Sequence, residues 1–278
     1  MVRGYRARLE WLGQDGRMDD FYLTDTESRL QPDGSRLWHV TDRWNTPIQH
    51  PNGGFVAAAM LRAAIDSFDV GRPVVASFHY LASPEPGVDA RIDVDPLKLG
   101  RRIQTVHARS SHEGRMWIDM TASFTRDHEG FSHELGAPPQ LPPPDQCVDP
   151  ISVGMPAQGL FARVEYRFDQ APGWSVGTPS GDPTMQMWQR LAGGREIDWP
   201  ALALMSDTTP PAVLELGNHK SMTVELTVHF HRLPAPGSWV ATRVTTRHVA
   251  GGFHEEDSEL WDDEGNLLAQ SRQLGILL

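Results

Sequence analysis

Cysteine is almost absent from this chain: Cys147 stands alone among 278 residues. A single thiol excludes an internal disulfide framework and a cysteine-based zinc site, and it fits a reducing, cytoplasmic setting. Positive charge is also scarce. Lys and Arg total 25 against 36 Asp and Glu, a formal net charge of -11, so the chain as a whole repels nucleic acid and anionic membranes. Neither is an expected partner, and a phosphate-bearing substrate would need a local basic patch. No apolar run reaches the ~20 residues of a membrane span. The arginine-bearing N-terminus, MVRGYRARLEWLGQDG, lacks the apolar core of a signal peptide. The remainder, 39% hydrophobic and 22% charged, has the composition of a globular protein.

One stretch organises what is present. PNGGFVAAAMLRAAIDSF, residues 51–68, opens with Gly53 and Gly54 and continues apolar on nearly every side. Only Arg62 and Asp66 interrupt it, at i and i+4, as one short polar stripe. A helix over 55–68 with that pattern must be enclosed. Strands are predicted at 74–81, 88–94, 102–109 and 117–124. In the last, Ile118, Met120, Ala122 and Phe124 alternate with polar residues. One buried helix wrapped by a curved antiparallel sheet is the hot-dog arrangement.

Composition then shifts. GAPPQLPPPDQCVDP can form neither a helix nor a central strand, and it reads as an ordered linker crossing the surface. Beyond it the pattern resumes: a strand at 163–169, a loop bearing Trp174 and Trp188, and a helix capped by Asp198 with Pro200 in its first turn. Strands follow at 222–230, 239–248, 255–261 and 267–277. ASFHYLASPEPG in the first half matches VHFHRLPAPG in the second, so one fold is repeated in tandem. The expected organisation is α+β, a double hot-dog: an N-terminal unit at 1–128, a proline-rich linker at 129–157 and a C-terminal unit at 158–278. A single hot-dog sheet leaves one face and its edges open, so the halves should pack together. A homo-oligomer, a dimer of double hot-dogs, is the expected assembly.

The chain resembles the TesB-type acyl-CoA thioesterases, thioesterase II. The resemblance rests on GGFVAAAMLRAA, VVASFHYLASPEPG, LKLGRRIQTVHARSSHEGRMWIDMTASF and FSHE in the first half. In the second it rests on LALMSD, MTVELTVHFHR and LLAQSRQLGIL. It implies hydrolysis of acyl-CoA to free acid and coenzyme A, without metal or other cofactor. In that family an Asp, a Thr or Ser and a Gln hold the hydrolytic water, and these fall on Asp207, Thr223 and Gln273. The chain departs from the family at Phe55, where Gln commonly follows the two glycines. The segment 176–196 carries no motif on which the resemblance rests.

Each residue also has a plainer reading. Asp207 follows an apolar helical run, and partial burial would suit it to general-base work. Read without the resemblance, Ser206, Asp207, Thr208 and Thr209 simply cap and end a helix. Thr223 falls in phase with Glu225, Thr227 and His229, away from the apolar face: either the strand starts after it or that face meets the other half's helix. Gln273 could donate to a carbonyl or accept from water. Gly53 and Gly54 could aim free N–H groups at a thioester carbonyl, as an oxyanion hole, or serve a tight turn and close packing. Arg101 and Arg102, with Lys98, form the compact basic group that could hold coenzyme A phosphates, or a solvated strand end. His229 and His231 share a strand face but lack a third ligand, and GFSHE lacks the closing Gly of a nucleophile elbow. Two other activities stay open: a non-catalytic acyl-CoA binding protein, and a hot-dog enoyl-thioester hydratase using an Asp-His pair.

Overall fold

The computed structural model describes residues 21–126, 130–217 and 220–278. The N-terminal segment and the expected boundary between 128 and 129 lie outside these. In the first half α1 (Phe21–Thr26), β1 (Arg29–Leu30) and β2 (Arg36–His39) lead into the central helix α2 (Gly53–Ser67). Four strands follow: β3 (Arg72–Tyr80), β4 (Asp89–Leu99), β5 (Ile103–His112) and β6 (Arg115–Thr125). The second half repeats this order with α3 (Leu160–Arg163), β7 (Val164–Phe168), β8 (Thr184–Leu191) and the helix α4 (Trp199–Met205). It closes with β9 (Ser221–Phe230), β10 (Val240–Thr245), β11 (Val249–Ala250), β12 (Phe253–Trp261) and β13 (Leu267–Leu277).

The described strands form one antiparallel sheet in the order β1-β2-β4-β5-β6-β3-β9-β13-β12-β10-β8-β7, with β11 beside β12. The halves meet where β3 pairs with β9. Each strand thereby covers the other's open edge, which would otherwise invite pairing with another chain. At this seam Ala76 lies opposite Val228. These residues hold equivalent places in the ASFHY and VHFHR repeats, so equivalent positions face each other across a pseudo-twofold axis.

Helix α2 is buried from Gly54 to Leu61 and again at Ala63 and Ala64. Side chains the size of Phe55, Met60 and Leu61 contribute about 1.5–3 kcal/mol each on full burial. Asn52 caps it, its Oδ1 accepting from Phe55 N at 3.0 Å. Asp198 caps α4 in the same way, accepting from Ala201 N at 2.8 Å. Of the polar stripe on α2, Arg62 faces that cap, its Nη2 donating to Asp198 Oδ2 at 2.7 Å, while Asp66 pairs with Arg36 at 3.6 Å. The two central helices thus lie against each other inside the sheet, the double hot-dog arrangement.

Besides the two-residue strands β1 and β11, the eight-residue strand β8 was not expected. Trp188 lies on β8, not in a loop, and the alternation there is masked in the sequence. Met185, Met187, Gln189 and Leu191 point inward while Trp188 points outward. Gln189 tolerates full burial because its amide is satisfied: Nε2 donates to Met205 O at 3.0 Å and to Thr242 Oγ1 at 2.8 Å, and Oε1 accepts from Thr208 Oγ1 at 2.7 Å. The proline-rich stretch passes outside these strands, where Trp188 Nε1 donates to Pro142 O at 2.8 Å and Val148 bridges to Phe168. Among the described residues no helix is long and apolar enough to cross a membrane.

Candidate active site

The residue immediately after α4's C-cap is the centre of the site. Ser206 Oγ and Ser206 N both donate back to Leu202 O, at 2.8 and 3.1 Å, and Asp207 N donates to Leu204 O at 3.1 Å, so the helix closes on its own backbone and leaves the Asp207 carboxylate uncommitted to it. Asp207 itself reaches across to the other half. Its Oδ2 accepts from Gly54 N at 2.7 Å, and Asn52 Nδ2 donates to its backbone O at 2.7 Å. The carboxylate therefore sits on the N-terminus of α2, where free amides and the helix dipole favour negative charge. Burial pushes its carboxyl up to about 7, against the opposing pull of the Gly54 N–H and the Thr223 hydroxyl. The loss of water outweighs these two hydrogen bonds.

This geometry explains the glycine pair. A Cβ on Gly54 would lie 2.3 Å from Leu204 O, and one on Gly53 would lie 2.6 Å from Asp207 Oδ2. Close packing of α2 on α4 thus requires Gly54, and the nearness of the carboxylate requires Gly53. Gly54's N–H is committed to Asp207, so the expectation of two free N–H groups is corrected. Only the N–H of Gly53 is without a partner among the described residues.

Thr223 joins Asp207 through a feature of β9 that strict alternation hides. Leu274 pairs with Glu225, but Gly275 pairs with Thr223, leaving Val224 as an extra residue. That bulge reverses the facing of everything before it. Thr223 therefore shares the inward side with Leu226 and with Gln273, which lies opposite Leu226. Neither expected explanation of its phase holds. The strand begins at Ser221, and the bulge turns the side chain. Its Oγ1 donates to Asp207 Oδ1 over a long 3.4 Å. Gln273 is buried on β13, and all three side chains line one cavity of about 910 Å³, within the size range of small-molecule sites.

The cavity wall is mostly apolar, with Val56, Met155, Leu160, Phe161, Leu214 and Ile276 among its residues. Lys220, one of the chain's two lysines, lies on the same wall. Arg101 and Arg102 do not. They are exposed at the β4–β5 turn, beside Gln104, whose Nε2 donates to Asp69 O at 3.3 Å just past the C-terminus of α2. The site is at the other end of this 15-residue helix, roughly 22 Å away at 1.5 Å per residue. Sequence reading missed Asn52, although Asn directly before a helix is an N-cap signal. It also missed Tyr80, Glu215 and Glu256, for which no local pattern exists. Glu256, opposite Gln273 across β12 and β13, accepts from Ala212 N at 2.7 Å, and burial pushes it up to about 8. Glu215 accepts from Ser180 N at 2.6 Å and Trp174 N at 3.4 Å. It thus ties down a loop whose Trp174 and Pro179 line the cavity.

Two family models match the chain: an acyl-CoA thioesterase N-terminal domain over residues 40–125 and an acyl-CoA thioesterase C-terminal domain over residues 137–277. An uncharacterised Mycobacterium tuberculosis protein is 26% identical over 252 residues, covering 81% of this chain and 85% of that one. A structure assigned as a thioesterase II from Thermobifida fusca is 28% identical with a TM-score of 0.82, over 92% of this chain and 97% of that one. The acyl-CoA thioesterase II TesB2 of Mycobacterium marinum has a TM-score of 0.74 at 19% identity, over 92% and 98%. At that identity the likeness is one of fold.

Proposed function

The chain belongs to the acyl-CoA thioesterase family, a family of thioester hydrolases, and on that premise we propose that it cleaves acyl-CoA by direct attack of a water activated by Asp207. The observation that carries this reading is the half-buried Asp207 carboxylate, held on the N-terminus of α2 by the Gly54 N–H and facing a largely apolar cavity beside Thr223 and Gln273, where loss of water pushes it up to about 7. A base is most effective when its pKa lies near the working pH.

The two oxygens of Asp207 have different duties. Oδ2 is held by the Gly54 N–H at 2.7 Å, so Oδ1, with only the long contact to Thr223, receives the proton. The water oxygen bonds to the thioester carbonyl carbon as its proton passes to Oδ1. Gln273 and the Thr223 hydroxyl orient that water. The carbonyl oxygen gains negative charge, and the free N–H of Gly53 at the positive end of α2 stabilises it. The C–S bond then breaks, and the departing sulfur takes the proton back from Asp207, giving free acid and coenzyme A. Lys220 supplies the cationic contact for a coenzyme A phosphate that Arg101 and Arg102 are too distant to make.

Mixing the protein with acyl-CoA and a thiol reagent tests the reading. Hydrolysis releases thiol, and Asp207→Asn should abolish nearly all of it. A binding protein releases none. A hydratase changes enoyl-CoA absorbance without releasing thiol. Either of the last two results overturns the proposal.

A further inference from the structure

We propose that Tyr80 is a positioning residue for Asp207, acting through the peptide that joins Gly53 to Gly54; this rests on Asp207 being the base. Tyr80, the last residue of β3, donates its hydroxyl to Gly53 O at 2.8 Å. The N–H of that same amide, carried by Gly54, donates to Asp207 Oδ2 at 2.7 Å. A hydrogen bond onto a carbonyl oxygen increases the amide's C–N double-bond character and leaves its N–H more positive. Bonds in such a chain strengthen one another by roughly 10–30% each. The phenol, one residue type away from being a plain apolar wall, is thereby tied to the carboxylate on the far side of a single peptide unit.

The direction of the effect follows. A stronger N–H donor favours the ionised carboxylate, opposing the burial that favours its protonated form. Tyr80 therefore keeps more of Asp207 in the form able to accept a proton at neutral pH. Burial, and then the charges of Asp207 and Glu225, hold the phenol well above its ordinary value, so it remains a donor throughout an assay range. The other ionisable groups around Asp207 are Tyr166 on β7 and Glu256 on β12, with His50 and Lys220 on the cavity wall. Tyr80→Phe leaves all four in place. It also keeps the ring, which packs so closely that a Cβ on Gly53 would lie 3.3 Å from it.

The test is a carbon-13 NMR titration of the Asp207 carboxyl in the full chain, with and without Tyr80→Phe, beside the pH profile of kcat/KM. The variant should raise the carboxyl midpoint by about half a pH unit, and the acid limb should move with it. Below the limb that is about a threefold loss of kcat/KM, while the alkaline plateau is nearly unchanged. A purely structural role for Tyr80 would lower Tm and leave the midpoint in place, which overturns the proposal. So does a limb that moves without the carboxyl, since Tyr80 would then act on the substrate. Should Tyr80→Phe not fold, 3-fluorotyrosine at position 80 keeps ring and hydroxyl as a stronger donor. It should move the midpoint down, and an unmoved midpoint is again refutation. If Asp207→Asn stays fully active, the hydrolytic reading fails, yet the carboxyl titration still decides what Tyr80 does.

Discussion

Replacing Asp207 by Asn should make the protein more stable while nearly abolishing turnover. Burial raises this carboxyl from an ordinary 3.8 to about 7. A group that holds its proton more tightly when folded penalises folding at any pH where the unfolded chain has lost it. Below about pH 4 both states are protonated and the penalty vanishes. It grows as pH rises through about 7, the folded value, and is complete above that. A gap of that size is worth about 4 kcal/mol at 1.36 kcal/mol per pKa unit. Because one edge of the carboxyl meets the cavity, about 2–4 kcal/mol is the better range. Asn keeps an oxygen for the Gly54 N–H but gives up the attraction to the helix terminus, about 0.3–1 kcal/mol. The variant should therefore exceed wild type by about 1–3 kcal/mol at pH 8, with the difference shrinking towards pH 5. That corresponds to a Tm rise of about 2–4 °C per kcal/mol in a chain of this size. Over the same range kcat should fall by about 10²–10⁴. Thermal unfolding from pH 5 to 8, run beside thiol release, measures both. A variant no more stable at pH 8 than at pH 5 relative to wild type, or one with undiminished turnover, refutes the reasoning.

The two glycines should separate structure from chemistry. Gly54→Ala drives a methyl into Leu204 O and should destabilise by about 1–3 kcal/mol as overpacking does, read by urea unfolding. Gly53→Ala meets the Asp207 carboxylate instead, so kcat should drop at least about tenfold while the protein still folds. For the coenzyme end, Lys220→Ala should raise KM for acyl-CoA but not for a short acyl-pantetheine mimic that lacks the phosphates. Arg101→Ala and Arg102→Ala should leave both constants unchanged. Equal effects at all three positions would refute the placement of the phosphates. Glu215→Ala removes the acceptor for Ser180 N and Trp174 N. The profile of hydrolysis rates across acyl-CoA lengths should change, and an unaltered length profile would show that the loop does not bound the chain.

Much of this protein is written locally in its sequence. Apolarity all round α2, alternation in β6, the Asp198 cap before Pro200 and the recurrence of ASFHY as VHFHR are properties of neighbouring residues. Local patterns of this kind fix helix, strand and repeat before any long-range contact forms. The same patterns could not show where Asp207 points. From its own segment it looks like a helix cap, yet its carboxylate accepts from the first turn of a helix contributed by the other half, from a residue 153 positions away along the chain. Nor could alternation place Thr223, because the bulge at Val224 exists only through pairing with β13. Strand β8 was obscured because Gln189 points inward and Trp188 outward. That arrangement is stable only when Met205 O, Thr242 and Thr208 satisfy the buried amide. Arg101 and Arg102 formed a basic group by proximity in sequence, and the fold carried them to the far end of α2. In each case the deciding partner is distant in the chain, so only the tertiary structure could supply it.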